Sequence, residues 1–136
     1  MVLGFFFGGK NRRGRPKRRE TLGILRPYDK DKIAQEWGRI EQLVATSRPS
    51  ACKEAVIAAD KLLDYALVQI VSGEAMGERL KNAFEAFPRD TYQGLWDAHK
   101  MRNALVHEAG FDLTVLVAKD VLGKFKRGFQ YLGVRL

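Results

Sequence analysis

Residues 51–71, ACKEAVIAADKLLDYALVQIV, decide the fold. Ala55, Val56, Ala59, Leu62, Leu63, Ala66, Leu67 and Ile70 recur at helical spacing, and Ile57, Val68 and Val71 carry the apolar surface around most of the circumference. A helix so apolar must be surrounded by others, so this segment predicts the middle of a helical bundle. Two carboxylates, Asp60 and Asp64, lie one turn apart on it. Among apolar neighbours each needs a cation, unless both point to solvent at the bundle rim beside Lys61.

Working outward, Thr46-Ser47-Arg48-Pro49-Ser50 reads as a turn, with Ser50 placed to cap the central helix. Before it, a helix opening at Asp29 or Asp31 and running through Ala45 carries one stripe of Ile33, Trp37, Ile40 and Val44. After it, Ser72-Gly73 ends the central helix, and a shorter one is expected over 75–87 with Met76, Leu80, Phe84 and Phe87 inward and Pro88 closing it. A fourth is expected over 91–108, stopped by Gly110 as a left-handed cap. The last, over 113–132, turns Leu116, Val117, Val121, Leu122, Phe125 and Phe129 inward and carries Gly123 and Gly128, each costing about 1 kcal/mol relative to alanine. No segment alternates like a strand. The expected fold is all-α: an up-and-down bundle of four to five helices over 28–136, behind a disordered basic tail over 1–27.

Composition agrees with one small domain. The chain has 136 residues, of which 46% are apolar, enough for a core and too many for wholesale disorder. No apolar run approaches the roughly 18 residues of a membrane span. One cysteine, Cys52, excludes an internal disulfide framework and reads as structural, and with only two histidines neither a metal nor another cofactor is expected. A cytoplasmic setting follows.

The formal charge of +8 is uneven. Residues 1–20 hold seven basic groups (Lys10, Arg12, Arg13, Arg15, Lys17, Arg18, Arg19) against Glu20, whereas the remainder is nearly balanced, with 17 basic and 15 acidic groups. An anionic partner therefore meets the tail first. Three readings of the tail stand side by side. Arg13-Gly14-Arg15-Pro16, flanked by Arg12, Lys17, Arg18 and Arg19, resembles the AT-hook core, whose arginines lie in a narrow minor groove of DNA. A polycation also binds RNA or DNA phosphates without sequence preference, in a strongly salt-dependent way. Finally, Val2, Leu3, Phe5, Phe6 and Phe7 beside those charges suit peripheral contact with an anionic bilayer surface.

The fourth helix carries the chemistry. With about 100° per residue, Leu95, Ala98, Met101, Leu105 and Val106 share an apolar arc, and Arg102 falls inside it. An arginine cannot shed its charge, so there it needs a carboxylate or phosphate, or must reach outward. Asp60 or Asp64 is the expected partner in a structural ion pair. Trp96, His99, Lys100, Asn103 and His107 form a second face. On it, Lys100 is solvated or holds a phosphate beside His107, and His99 reads as a solvated or capping histidine. Trp96, like Trp37, reads as a core or interface aromatic. Near a helix C-terminus, His107 is also favoured by the macrodipole alone.

Arg102-Asn103-Ala104-Leu105-Val106-His107, an arginine and a histidine flanking four residues with asparagine directly after the arginine, resembles the motif of the HEPN superfamily. That resemblance implies a helical bundle, commonly a homodimer, and often a metal-independent endoribonuclease. It implies Arg102 and His107 as the catalytic pair and Asn103 as their polar support. The residue types suit RNA cleavage: a histidine takes the proton of a ribose 2′-hydroxyl and an arginine forks onto the phosphate. Five residues apart on one helix, they differ by about 140°, so a two-fold dimer that juxtaposes two fourth helices is the arrangement that unites them. The alternative is a noncatalytic helical interaction module, tethered to nucleic acid or an anionic membrane surface by its tail, with Arg102 as a structural cation.

Overall fold

A computed structural model describes residues 22–136; the AT-hook-like, polycationic and membrane readings of residues 1–21 lie outside them. Among the described residues the fold is all-α: α1 Pro27–Ala45, α2 Pro49–Ile70, α3 Met76–Asn82, a 3₁₀ turn Phe84–Ala86, α4 Arg89–His107 and α5 Val115–Tyr131. No helix in that span is long and apolar enough to cross a membrane.

The apolar segment takes the centre as expected, with α2 touching α1, α3, α4 and α5. Short connections make sequential helices antiparallel: Gly23 N–H donates to the Ile70 carbonyl at 2.8 Å, joining the start of α1 to the end of α2. On the far side α1 meets α5 through an edge-on contact of Trp37 and Phe129, whose ring centres are 5.6 Å apart. α4 crosses α5 closely enough that a Cβ on Gly128 would stand 2.7 Å from Leu95 Cδ2, so this glycine is set by packing. Gly123, by contrast, faces open space.

Several boundaries differ from the sequence expectation. Residues 22–27, assigned above to the tail, belong to the body, because Leu25 is buried and Gly23 is bonded to α2. Asp29 does not open α1. Pro27 does, and Asp29 sits at the third helical position accepting the Arg26 N–H at 3.2 Å. Likewise Pro49 starts α2, placing Ser50 inside the helix instead of at its cap. The third helix breaks after Asn82, which leaves Phe84 exposed although Leu80 and Phe87 are buried. Gly110 does take a left-handed φ of 76°, but α4 has already ended at His107 with Glu108 extended, so the glycine shapes the following loop. Leu116 is 78% exposed and Val117 is also exposed, because the buried face of α5 runs through Ala118, Val121, Leu122, Phe125 and Phe129. Leu116 lies about 160° from Ala118, on the opposite side.

Candidate functional site

The buried residues of α4 are Thr91, Leu95, Ala98, His99 and Leu105. At about 100° per residue their arc spans roughly 280° to 40° from Leu95, and Arg102 sits at its centre. The helix therefore presses its Arg102 meridian toward α2 and α5. Asp60, 2% exposed, answers from α2. One carboxylate oxygen lies 2.9 Å from His99 Nδ1 and the other 3.5 Å from Arg102 Nε. Arg102 Nη1 donates to the Asn103 side-chain oxygen at 2.9 Å. The Arg102 side chain is nevertheless 32% exposed, so its guanidinium is gripped at one edge and open to solvent at another.

The alignment of that grip is informative. Arg102 Nε is buried and makes no hydrogen bond, because the approach to Asp60 is long and poorly directed. The shorter, better contact of Asp60 is the one to His99. This corrects the sequence reading of His99 as solvated or capping: it is a buried residue, packed edge-on against Trp96 with ring centres 6.1 Å apart. The signal for this is its spacing, since residues three apart on a helix share a face and the wheel of α4 turns Arg102 inward.

Asp64 takes a different partner. Arg79 of α3 grips it in a bidentate pair, Nε to Oδ1 at 2.8 Å and Nη2 to Oδ2 at 2.9 Å, and donates Nη1 to the Gly73 carbonyl at 2.7 Å. The hydrogen bond to Asp64 pushes the Arg79 pKa up, so the cation is fixed. Asp64 thus anchors α3 and the loop before it, and has no place at the α4 site.

His107 is the last residue of α4 and is exposed, as are Lys100 and Val106, the latter against its placement on the apolar arc. α4 remains helical through His107, so the angular separation of Arg102 and His107 persists. The structure thus assembles Asp60, His99, Arg102 and Asn103 into one cluster and leaves Lys100 on the exposed face of the same helix and His107 at its exposed end. Cys52 is fully buried, as a structural cysteine should be. The predicted nucleic-acid contacts Arg12, Arg13, Gly14, Arg15, Pro16, Lys17, Arg18 and Arg19 lie outside the described residues. No family model, no curated protein and no solved structure matches the chain.

Proposed function

We propose that the chain is an RNA-binding domain of HEPN type that acts as a homodimeric, metal-independent endoribonuclease through Arg102 and His107. The observation that carries this reading is the posture of Arg102: Asp60 lies against one edge, Asn103 takes Nη1, and a third of the side chain stays open to solvent. A guanidinium oriented by protein groups and still accessible is suited to a phosphate.

In this mechanism His107 removes the proton of a ribose 2′-hydroxyl, and the 2′-oxygen forms a bond to the adjacent phosphorus. The bond from phosphorus to the 5′-oxygen breaks, leaving a 2′,3′-cyclic phosphate. The leaving oxygen takes a proton from a second copy of the same histidine, which a two-fold dimer supplies. Arg102 stabilises the charge gathering on the non-bridging oxygens. Asn103 and Asp60 fix the direction of the guanidinium; they position and do not react. The exposed Val106, Leu116 and Val117 near this end of the bundle give a second copy apolar surface to cover.

The same Asp60 contact favours a second reading, the noncatalytic module, in which Arg102 only balances a buried carboxylate. One experiment separates them. Purified protein is incubated with RNA in excess chelator, alongside Arg102→Ala and His107→Ala variants of confirmed fold. The nuclease reading expects cleavage by the natural chain alone, ending in cyclic phosphates. Intact RNA throughout, or equal cleavage by His107→Ala, sinks it and leaves the module.

A further inference from the structure

At the Ile70 end of the central helix the chain enters the body over a polar cavity. Gly23 is pinned to the Ile70 carbonyl and Leu25 is buried, so Ile24 between them is thrown outward. Arg26 and Pro27 then turn the chain into α1, which leaves Tyr28 73% exposed. Ile24, Arg26, Tyr28, Asp29 and Gln69 line an open cavity of about 400 Å³.

Its polar groups are held in place. Asp29, buried, accepts from the Tyr65 hydroxyl at 2.8 Å and from the Arg26 N–H at 3.2 Å. The bond to Asp29 pushes the Tyr65 pKa up, so the hydroxyl remains a donor. Gln69 gives one amide hydrogen to the Tyr65 carbonyl at 3.2 Å. Its other hydrogen and its oxygen have no partner among the described residues.

Tyr28, Gln69 with a donor and an acceptor unused among the described residues, the buried Asp29 carboxylate and Arg26 together line a space that is the complement of a flat heterocycle with a hydrogen-bonding edge and an anion beside it. The charges also set the direction of entry. Asp29 repels a phosphate from the floor, so the ring goes inward while the phosphate stays outside with Arg26. A bilayer surface fits poorly, because insertion here would carry a buried carboxylate toward anionic headgroups. In sequence, residues 10–19 hold seven basic groups, which add electrostatic attraction for a polyanion.

We propose that this cavity is a subsite for one unpaired nucleotide of single-stranded RNA, with Tyr28 stacked on the base, Gln69 and Asp29 on its edge and Arg26 on the neighbouring phosphate. It rests on the reading that the chain binds RNA, and not on catalysis.

The test uses the full chain and a short fluorescein-labelled RNA made uncleavable by 2′-O-methyl groups. Fluorescence anisotropy is read for the natural protein, Tyr28→Ala, Tyr28→Phe and Gln69→Ala, with heparin as a polyanion lacking bases. Tyr28 is exposed, so its substitution leaves the fold intact, as circular dichroism will record. Tyr28→Ala is expected to weaken RNA binding about 5- to 160-fold, the scale of one lost stacking contact, with Tyr28→Phe restoring it and heparin binding unchanged. The salt dependence keeps its slope, because no phosphate contact is removed.

Equal RNA affinity of Tyr28→Ala and the natural protein overturns the subsite. So does an equal loss toward heparin, or a Tyr28→Ala defect confined to phosphatidylserine vesicles. The nuclease reading fails separately: a natural protein that binds this RNA in a Tyr28-dependent way but leaves unmodified RNA intact upholds the subsite and refutes catalysis. If the natural protein cleaves while Tyr28→Ala binds as it does, catalysis stands and the subsite falls. A natural protein that binds no RNA refutes both.

Discussion

Replacing Asp60 and Arg102 in turn measures which of them the fold depends on. Asp60→Ala strips the buried His99 Nδ1 of its 2.9 Å partner, and an unsatisfied buried donor costs about 1–3 kcal/mol. It also frees Arg102, but a guanidinium one-third exposed is rehydrated, so that link adds about 0–1 kcal/mol. The sum centres on about 2.5 kcal/mol. Arg102→Ala loses only the misaligned contact at 3.5 Å and a hydrogen bond to Asn103, while Asp60 keeps His99. Its cost is about 1 kcal/mol, far from the roughly 3–5 kcal/mol of a broken, fully buried pair.

Urea unfolding followed by far-UV circular dichroism reads both. With a slope of about 1–3 kcal/mol per molar for a small protein, Asp60→Ala moves the midpoint down by about 1 M and Arg102→Ala by half as much. A cycle of Asp60→Asn with Arg102→Ala should show a coupling of no more than about 1 kcal/mol. An Arg102→Ala loss that exceeds the Asp60→Ala loss refutes this reasoning. It would make Arg102 a structural cation, as the noncatalytic reading requires.

Other expectations follow from particular contacts. Gly123→Ala, with open space at the new methyl, should stabilise by about 0.5–1 kcal/mol in thermal unfolding, whereas Gly128→Ala, driven into the buried Leu95, should cost about 1–2 kcal/mol. Arg79→Ala leaves the Asp64 carboxylate without its bidentate partner and should cost about 2 kcal/mol, discounted from a fully buried pair because Asp64 is partly exposed. Native-state hydrogen exchange should accelerate first in α3. Tyr65 ionises above its ordinary value of 10.0, so its bond to Asp29 supports the fold below that pH and is lost as pH rises through the folded value. Ultraviolet titration should lose a late-ionising phenol in Tyr65→Phe.

The central helix was legible because its apolar pattern is local and unbroken for 22 residues, and its partners could be counted from the turns between amphipathic stretches. What escaped the sequence depends on how one helix is rolled against another. Asp60 and Asp64 are both one turn apart and about 40° apart on the wheel, and that small angle sends one to α4 and the other to α3. His99 looked peripheral on a wheel centred on the apolar residues of α4. The real centre of burial is the Arg102 meridian, since the exposed end at Val106 contributes nothing to it. The cavity at Tyr28 is hidden for another reason: the acidic start signals at Asp29 and Asp31 fall after the true opening at Pro27, so residues 22–27 read as part of the tail.

Asp60 has a second consequence that its structural role alone does not contain. A phosphate on the open side of the Arg102 guanidinium lies about 7 Å from that buried carboxylate, and the repulsion is about 0.6 kcal/mol at the dielectric of water and about 2.4 kcal/mol at an effective value of 20. Under the proposed nuclease reading, the carboxylate opposes ground-state binding of the phosphate while it orients the arginine. Asp60→Asn keeps the shape and an acceptor for His99 but removes the charge. It should tighten the Kd for uncleavable RNA by about 3- to 50-fold, the same energies expressed as affinity. It should also lower kcat by up to about fivefold, the limit set by a link of about 1 kcal/mol, because a guanidinium without its anchor spends less time in the productive direction. Tighter binding with slower cleavage is a combination that neither general destabilisation nor loss of a phosphate contact produces. A weaker Kd in Asp60→Asn would mean that the carboxylate recruits a cation to the site, and the orienting role assigned to it here would have to be abandoned.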